Sequence, residues 1–275
     1  MDKPQPIIVT HLFPEILQHL LDLLAGLPAA DWDKPTVCMS WSVKDVALHL
    51  LGDDVGILSR KRDGFSLPAD IKGWDELVAF INHLNLTWVE ATRRTSPRLL
   101  LDLLRLTGDQ VCAYFDSLDP YTIGDPVSWV GPEPAPVWLD LAREYTERWL
   151  HQQHLRQAVD QPGLTGPRFL GPVLDAFVLA LPRTYQHTGA AEGTLVTLTL
   201  RGACGRQWSL RREAGRWELY VGAASTPAAE VMMDEDVAWR IFTKGLSRAE
   251  AEGSITIKGD RPLGLRVLDT VSIIA

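Results

Sequence analysis

Glu147 and His151 stand four residues apart, which on a helix is one turn along the same face, so both side chains can reach a single ion. His49 lies in the apolar run DVALHLL, where a buried imidazole needs a polar partner. By itself it reads as a satisfied core histidine. Set beside the pair, it completes a donor set of His, Glu and His from two helices. Three N/O ligands with one position left open suit a catalytic divalent site better than a structural one. His154, three residues beyond His151, can replace Glu147 as the third ligand, or sit beside the site as an acid, a base or a hydrogen-bond partner. Glu144 is seven residues from His151, about 10 Å along a helix axis. That is too far to share the ion easily, so Glu144 is expected to support the site from behind or to lie at the surface. Cys38, Cys112 and Cys204 are scattered, with no C-x-x-C pair, which argues against a disulfide framework and a thiolate zinc site. None of them falls in either metal-bearing segment, so a reactive sulfur would have to come from a cofactor.

Two helices must carry this set. SWSVKDVALHLLGDDVGILSRKRD opens with Ser42 as a cap and Asp45 three residues later, in the manner of a capping box. VWLDLAREYTERWLHQQHLRQAV is the second, ended by Asp160, Pro162 and Gly163. Three more helical stretches are expected: Thr10 to Leu27 with Leu12, Ile16, Leu20 and Leu23 at helical spacing, a region from Trp74 through FINHLNLTWVEATRR, and PRLLLDLLRLTGDQVCAYFDSL after Ser96. The stretch 119–136 holds five prolines and reads as irregular. After QPGLTGPR the period changes. A helix over FLGPVLDAFVLALP is followed by the alternating runs TLVTLTLRG, RQWSLRR and RWELYVG, then helical VAWRIFTKGLS, the strand SITIKGD and a short apolar helix, RPLGLRVLDTVSII. The expectation is a helical domain over 1–162 and an α+β domain over 163–275.

The chain has 275 residues, 46% hydrophobic and 23% charged, with a mean hydropathy of -0.02. These values suit a folded globular protein and argue against disorder. No apolar run approaches the ~18 residues of a spanning helix, and MDKPQPIIVTHLFPEIL does not read as a signal peptide, so a cytoplasmic protein without a membrane partner is expected. A net charge of -8 disfavours a nucleic-acid partner. The basic knot around Lys61 reads as a solvated helix C-terminus complementing the macrodipole. There is no phosphate-binding G-x-x-x-x-G-K-[ST] loop and no G-x-S-x-G nucleophile elbow. Trp41, Trp129, Trp138 and Trp149 flank the site segments and can wall a pocket or pack a core.

WSVKDVALHL, with Trp41 ahead of the capped helix and His49 seven residues past Ser42, and EYTERWLHQQHLRQA resemble the matching segments of the DinB-like metal-binding bundles, and among them the mycothiol-dependent maleylpyruvate isomerase group. Asn82 and the PVSWVGPEPAP loop resemble that group too. The resemblance implies a DinB-like four-helix bundle whose His49, Glu147 and His151 hold a divalent metal, zinc or alternatively nickel. AAEVMMDEDVAWRIFTKGLS and ITIKGDRPLGLRVLDTVS resemble the small sterol-carrier-like α+β domain of the same group. One departure is His154, where many members carry Asp three residues after the ligand His.

The function this implies is a metal-dependent isomerase or transferase that uses a small thiol such as mycothiol on a small electrophilic substrate, as a monomer or homodimer. An open position on the metal would bind the thiol sulfur and favour thiolate, and His154 is the candidate acid or base. The alternative is a non-catalytic, metal-containing carrier of an apolar small ligand.

Overall fold

The structure, a computed structural model, describes residues 1–38, 40–65 and 71–273. A helical N-terminal region is followed by a five-stranded sheet with helices. The elements are α1 (Phe13–Ala25), α2 (Val43–Ile57), α3 (Trp74–Thr92), α4 (Pro97–Asp116), α5 (Val137–Ala158), α6 (Pro167–Phe177), α7 (Leu181–Tyr185), β1 (Leu195–Arg201), β2 (Arg206–Glu213), β3 (Arg216–Val221), β4 (Ala229–Asp234), α8 (Glu235–Phe242), α9 (Arg248–Gly253), β5 (Thr256–Gly259) and α10 (Arg261–Leu265). Among the described residues no helix is long and apolar enough to cross a membrane.

Two compact units can be described. The helical one comprises Val9–Asp119 and Glu144–Leu164. The other comprises Met1–Ile8, Pro120–Arg143 and the described residues from Thr165 onward. The expected boundary at 162/163 lies beside the last of these crossings, while residues 1–8 and 120–143 also group with the sheet.

In the helical unit, α2 is the central element. Ser42 Oγ accepts from the Asp45 N–H at 3.2 Å and Asp45 Oδ2 accepts from the Ser42 N–H at 3.1 Å, the reciprocal box read from the sequence. Arg93 clamps the same carboxylate at 2.9 and 3.2 Å. Val43, Val46, Ala47, Leu48, Leu50 and Leu51 are all buried, so this helix is apolar on nearly every side. Gly52 is where α3 comes close. A Cβ there would lie 2.6 Å from Trp88 Cδ1, and the Trp88 indole N–H donates to Leu48 O at 2.8 Å. A π-helical turn, Leu58–Arg62, ends α2 with Arg60, Lys61 and Arg62, and Arg62 bonds Asp63 and Gln110. Thr10 is not a side-chain cap; a 3-10 turn over Thr10–Leu12 leads into α1.

In the other unit the strand order is β3-β2-β1-β4-β5, with β1 and β4 parallel and every other pair antiparallel. β4, over AEVMMD, has no sequence signal of its own beyond Val231: its buried alternation is Ala229, Val231 and Met233, and Ala and Met contribute little strand propensity. α9 was also unforeseen and has its own capping box from Ser247 and Glu250. The expected closing helix is shorter than read. After α10 and a 3-10 turn over Arg266–Asp269, the Ser272 N–H bonds Phe242 O at 2.9 Å and Ser272 Oγ bonds Phe177 O at 2.8 Å, which turns the backbone away from helix. Ile274 of that stretch lies outside the described residues. The Pro-rich stretch is anchored by Val127 and Trp129, buried with Leu139 and Ala180. At the other end of the chain, the Val221 N–H donates to Asp2 O at 2.8 Å, and Lys3 pairs with Glu218 at 2.8 Å while lying 4.1 Å from the Tyr220 ring centre.

Candidate metal centre

The site lies within the helical unit, on α2, α5 and the turn that precedes α2. That turn is a closed hairpin: Thr36 N–H donates to Trp41 O at 3.0 Å, Trp41 N–H to Cys38 O at 3.0 Å, and Val43 N–H to Lys34 O at 3.0 Å. Thr36 Oγ1 adds a bond to Trp41 O at 2.9 Å and accepts from the Cys38 N–H at 3.2 Å. Trp41 is thereby set with its ring centre 5.1 Å from that of His49.

His49 from α2 and His151 from α5 both turn Nε2 toward Glu147 Oε1, at 3.3 and 2.9 Å. One donor atom from each of the three residues lies within 4.8 Å of the others. An ion about 2.0–2.2 Å from N and O ligands sets tetrahedral ligand atoms roughly 3.3–3.6 Å apart, so the His49 spacing already suits one and the His151 spacing needs to open by a few tenths of an ångström. Imidazole and carboxylate donors suit zinc, and nickel as the alternative. The His49 and His151 side chains are 5% and 11% exposed, against 30% for Glu147, which leaves the set open on the Glu147 side for an outside ligand.

Electrostatics tie the three together. Burial pushes the Glu147 carboxyl up, but His151 and then His49 outweigh it and hold it well below the usual range. Burial disfavours the charged form of His151, yet Glu147 and Cys38 raise its value to about 10. Without a metal, a proton therefore holds the place an ion would take.

Two further residues stand at the site that the sequence reading did not single out for it. Asp53, one turn past His49 on α2, brings Oδ2 to 3.3 Å from His49 Nε2 without forming a hydrogen bond. Burial, opposed by His49 and reinforced by Glu147, pushes its carboxyl up to about 6. The helical spacing from His49 was the available signal. Cys38 lies outside both segments, yet its Sγ is 3.2 Å from His154 Nδ1. Burial raises its thiol, but His151 and His154 more than offset that and bring it down to about 6. The His151 and His154 rings are 5.3 Å apart.

Glu144 is away from the set and is not at the surface. It is buried and accepts from Arg148 Nη1 at 2.9 Å, while Arg148 Nη2 donates to Asp54 Oδ1 at 2.7 Å. Thr107 Oγ1 donates to the other Asp54 oxygen at 2.9 Å. Of the flanking tryptophans, Trp149 is buried and its indole N–H donates to Leu164 O at 2.8 Å. Trp129 and Trp138 pack in the sheet-bearing unit.

The family described as Mycothiol maleylpyruvate isomerase N-terminal domain matches residues 13–156. Among solved structures, the mycothiol-dependent maleylpyruvate isomerase has a TM-score of 0.53 at 13% identity, over 90% of this chain and 91% of that one. A histidine-to-alanine mutant of that enzyme gives 0.52 at 12% identity with the same coverage. At such identities the likeness is one of fold. No curated protein matches the sequence.

Proposed function

Because the chain belongs to the mycothiol maleylpyruvate isomerase N-terminal domain family, we propose that it is a divalent-metal-dependent isomerase or transferase that uses a small thiol of the mycothiol type on a small electrophilic substrate. The observation that carries this reading is the meeting of His49, Glu147 and His151 from two helices around a shared carboxylate oxygen. The ion, zinc or nickel, would supply an open position at which a thiol sulfur ionises readily.

The chain's own groups divide the remaining work. His49 is fixed by packing against Trp41 and faces Asp53, so its orientation is set before any ligand arrives. Glu147, held ionised by the two imidazoles, supplies the negative charge of the donor set and marks its exposed side. His154, half-buried next to His151, is assigned the acid–base role, moving a proton to or from the substrate through Nε2 while Nδ1 faces Cys38.

The test combines metal analysis with thiol titration. Purified protein incubated with zinc or nickel should retain an ion, and His49→Ala should remove it from this set with helicity preserved. Mycothiol should bind the loaded protein with proton release, measured by calorimetry in two buffers of different ionisation enthalpy, and should fail to bind His49→Ala. Protein that takes up neither metal contradicts the reading. Loaded protein that ignores mycothiol, bacillithiol, glutathione and coenzyme A at millimolar concentration, yet binds an acyl chain or sterol, is a carrier instead.

A further inference from the structure

Cys38, His151 and His154 each offer one donor atom, and these three atoms lie within 4.8 Å of one another. They are separate from the His49 and Glu147 donors and meet them only at His151. Cys38 Sγ and His154 Nδ1 are 3.2 Å apart, close to the spacing of neighbouring ligands on a tetrahedral ion with Zn–S of about 2.3 Å and Zn–N of about 2.0–2.1 Å. His151 turns Nε2 to Glu147, and its Nδ1 is buried with no hydrogen-bond partner. Nδ1 is thereby the ring atom left to face Cys38, whose sulfur, like Glu147, acts on this ring. Thr36 Oγ1 accepts from the Cys38 N–H at 3.2 Å and Cys38 O accepts from the Trp41 N–H at 3.0 Å, so the Cys38 backbone is held on both sides of its Cα.

We propose that Cys38, His151 and His154 form a second metal site, of Cys-His-His composition, for a borderline divalent ion such as zinc, and that it competes with the His49 and Glu147 set for His151. Competition follows from imidazole chemistry. A neutral ring has one lone pair, on either Nε2 or Nδ1, and so serves one ion at a time. The thiolate gives this second set the softer character. An ion there would be held by different chemistry from one in the first set. The inference does not rest on the enzymatic reading above: it shares only His151 with that donor set, and Cys38 and His154 are not ligands there.

Cobalt(II) is the probe, because a thiolate ligand gives it an intense near-ultraviolet charge-transfer band that His and carboxylate ligands do not. The full-length His49→Ala protein, with the first set disabled and no added thiol, should bind one equivalent of cobalt and show that band. Glu147→Gln serves the same purpose should His49→Ala fail to fold. Adding Cys38→Ser to either background should abolish the band. Saturating zinc should also slow alkylation of Cys38 by iodoacetamide about tenfold or more in the His49→Ala protein, read by mass spectrometry, because a coordinated thiolate is withdrawn from attack. Absence of the band at saturating cobalt, its survival in Cys38→Ser, or an alkylation rate indifferent to zinc each overturns the proposal. Failure of the first set alone gives a different picture: wild-type protein that already shows the band.

Discussion

Glu147 Oε1 lies 3.3 Å from His49 Nε2 across 98 residues of sequence, and it is the one atom of Glu147 recorded in contact with both imidazoles. The contact joins α2 to α5 at the depth of the helical unit where both histidines lose almost all solvent. The His49, Glu147 and His151 donor set depends on that junction.

Metal affinity should rise with pH. The His151 value is raised to about 10, burial opposing and Glu147 driving the shift, so at neutral pH an entering ion must expel a proton from this ring. Affinity for zinc should strengthen by up to about tenfold per pH unit below that value for each proton displaced. Competition with a chelator at pH 6, 7 and 8 measures it. An affinity flat across that range, with no proton release, would mean the ring is already neutral.

Asp54→Ala should be severely destabilising. Asp54 and Glu144 share Arg148, and Arg148 is 12% exposed at its side chain. Removing one carboxylate leaves a buried guanidinium half-compensated, a loss of about 3–5 kcal/mol. Asp54→Asn, which keeps an acceptor for Thr107, should cost less. Urea denaturation gives both values; a loss under about 1 kcal/mol for the alanine variant would show the site to be wetter than described.

Gly52→Ala should disturb the site indirectly. Its new Cβ would collide with the Trp88 ring, and the bond from that indole to Leu48 O would have to stretch or break. Overpacking of this kind costs about 1–3 kcal/mol. Because Asp53 is the next residue, zinc affinity should fall as well. Unchanged stability and unchanged tryptophan fluorescence would show that α3 yields without strain.

Limited proteolysis should nick the chain first between 160 and 163. Asp160, Gln161, Pro162 and Gly163 are exposed, whereas Leu164 is tied by both backbone groups, its N–H to Gln153 Oε1 at 3.0 Å and its carbonyl to the Trp149 indole. Gln161 N–H and Pro162 O are both held only to Arg156, so it is exposure that makes this stretch the first to be cut. The Pro-rich stretch, with Val127 and Trp129 buried, should be cut later, and a first cut within α5 would contradict the helix.

How much of this was legible in the chain depended on range. The α2 cap was readable because Ser42 and Asp45 are three residues apart and bond each other. The Glu147 and His151 pairing was readable for the same local reason, and their expected proximity to His49 is found in the structure. Asp53 carried the same helical signal from His49 but sits in GDDVG, which reads as solvated acid. Cys38 carried none, since its place is set by a hairpin closed between Lys34 and Val43 and by the packing of that turn beside α5. Glu144 is buried rather than at the surface because it pairs with Arg148, whose other carboxylate, Asp54, comes from another helix and leaves no local signal. β4 was missed because its partners β1 and β5 supply the order that Ala, Glu and Met do not.

The bridge between Asp2 and Val221 has a practical consequence for handling the protein. β3 is the outer strand of the sheet, and its exposed backbone is a template onto which another chain can add. Asp2 occupies one rung of it, and Lys3 holds that segment down through Glu218 and Tyr220. Trimming residues 1–8, or fusing a bulky tag directly ahead of them, would uncover the strand next to Val221, which is already 41% exposed. Such a preparation should turn turbid on concentration while its far-ultraviolet spectrum stays native, the loss being one of colloidal behaviour.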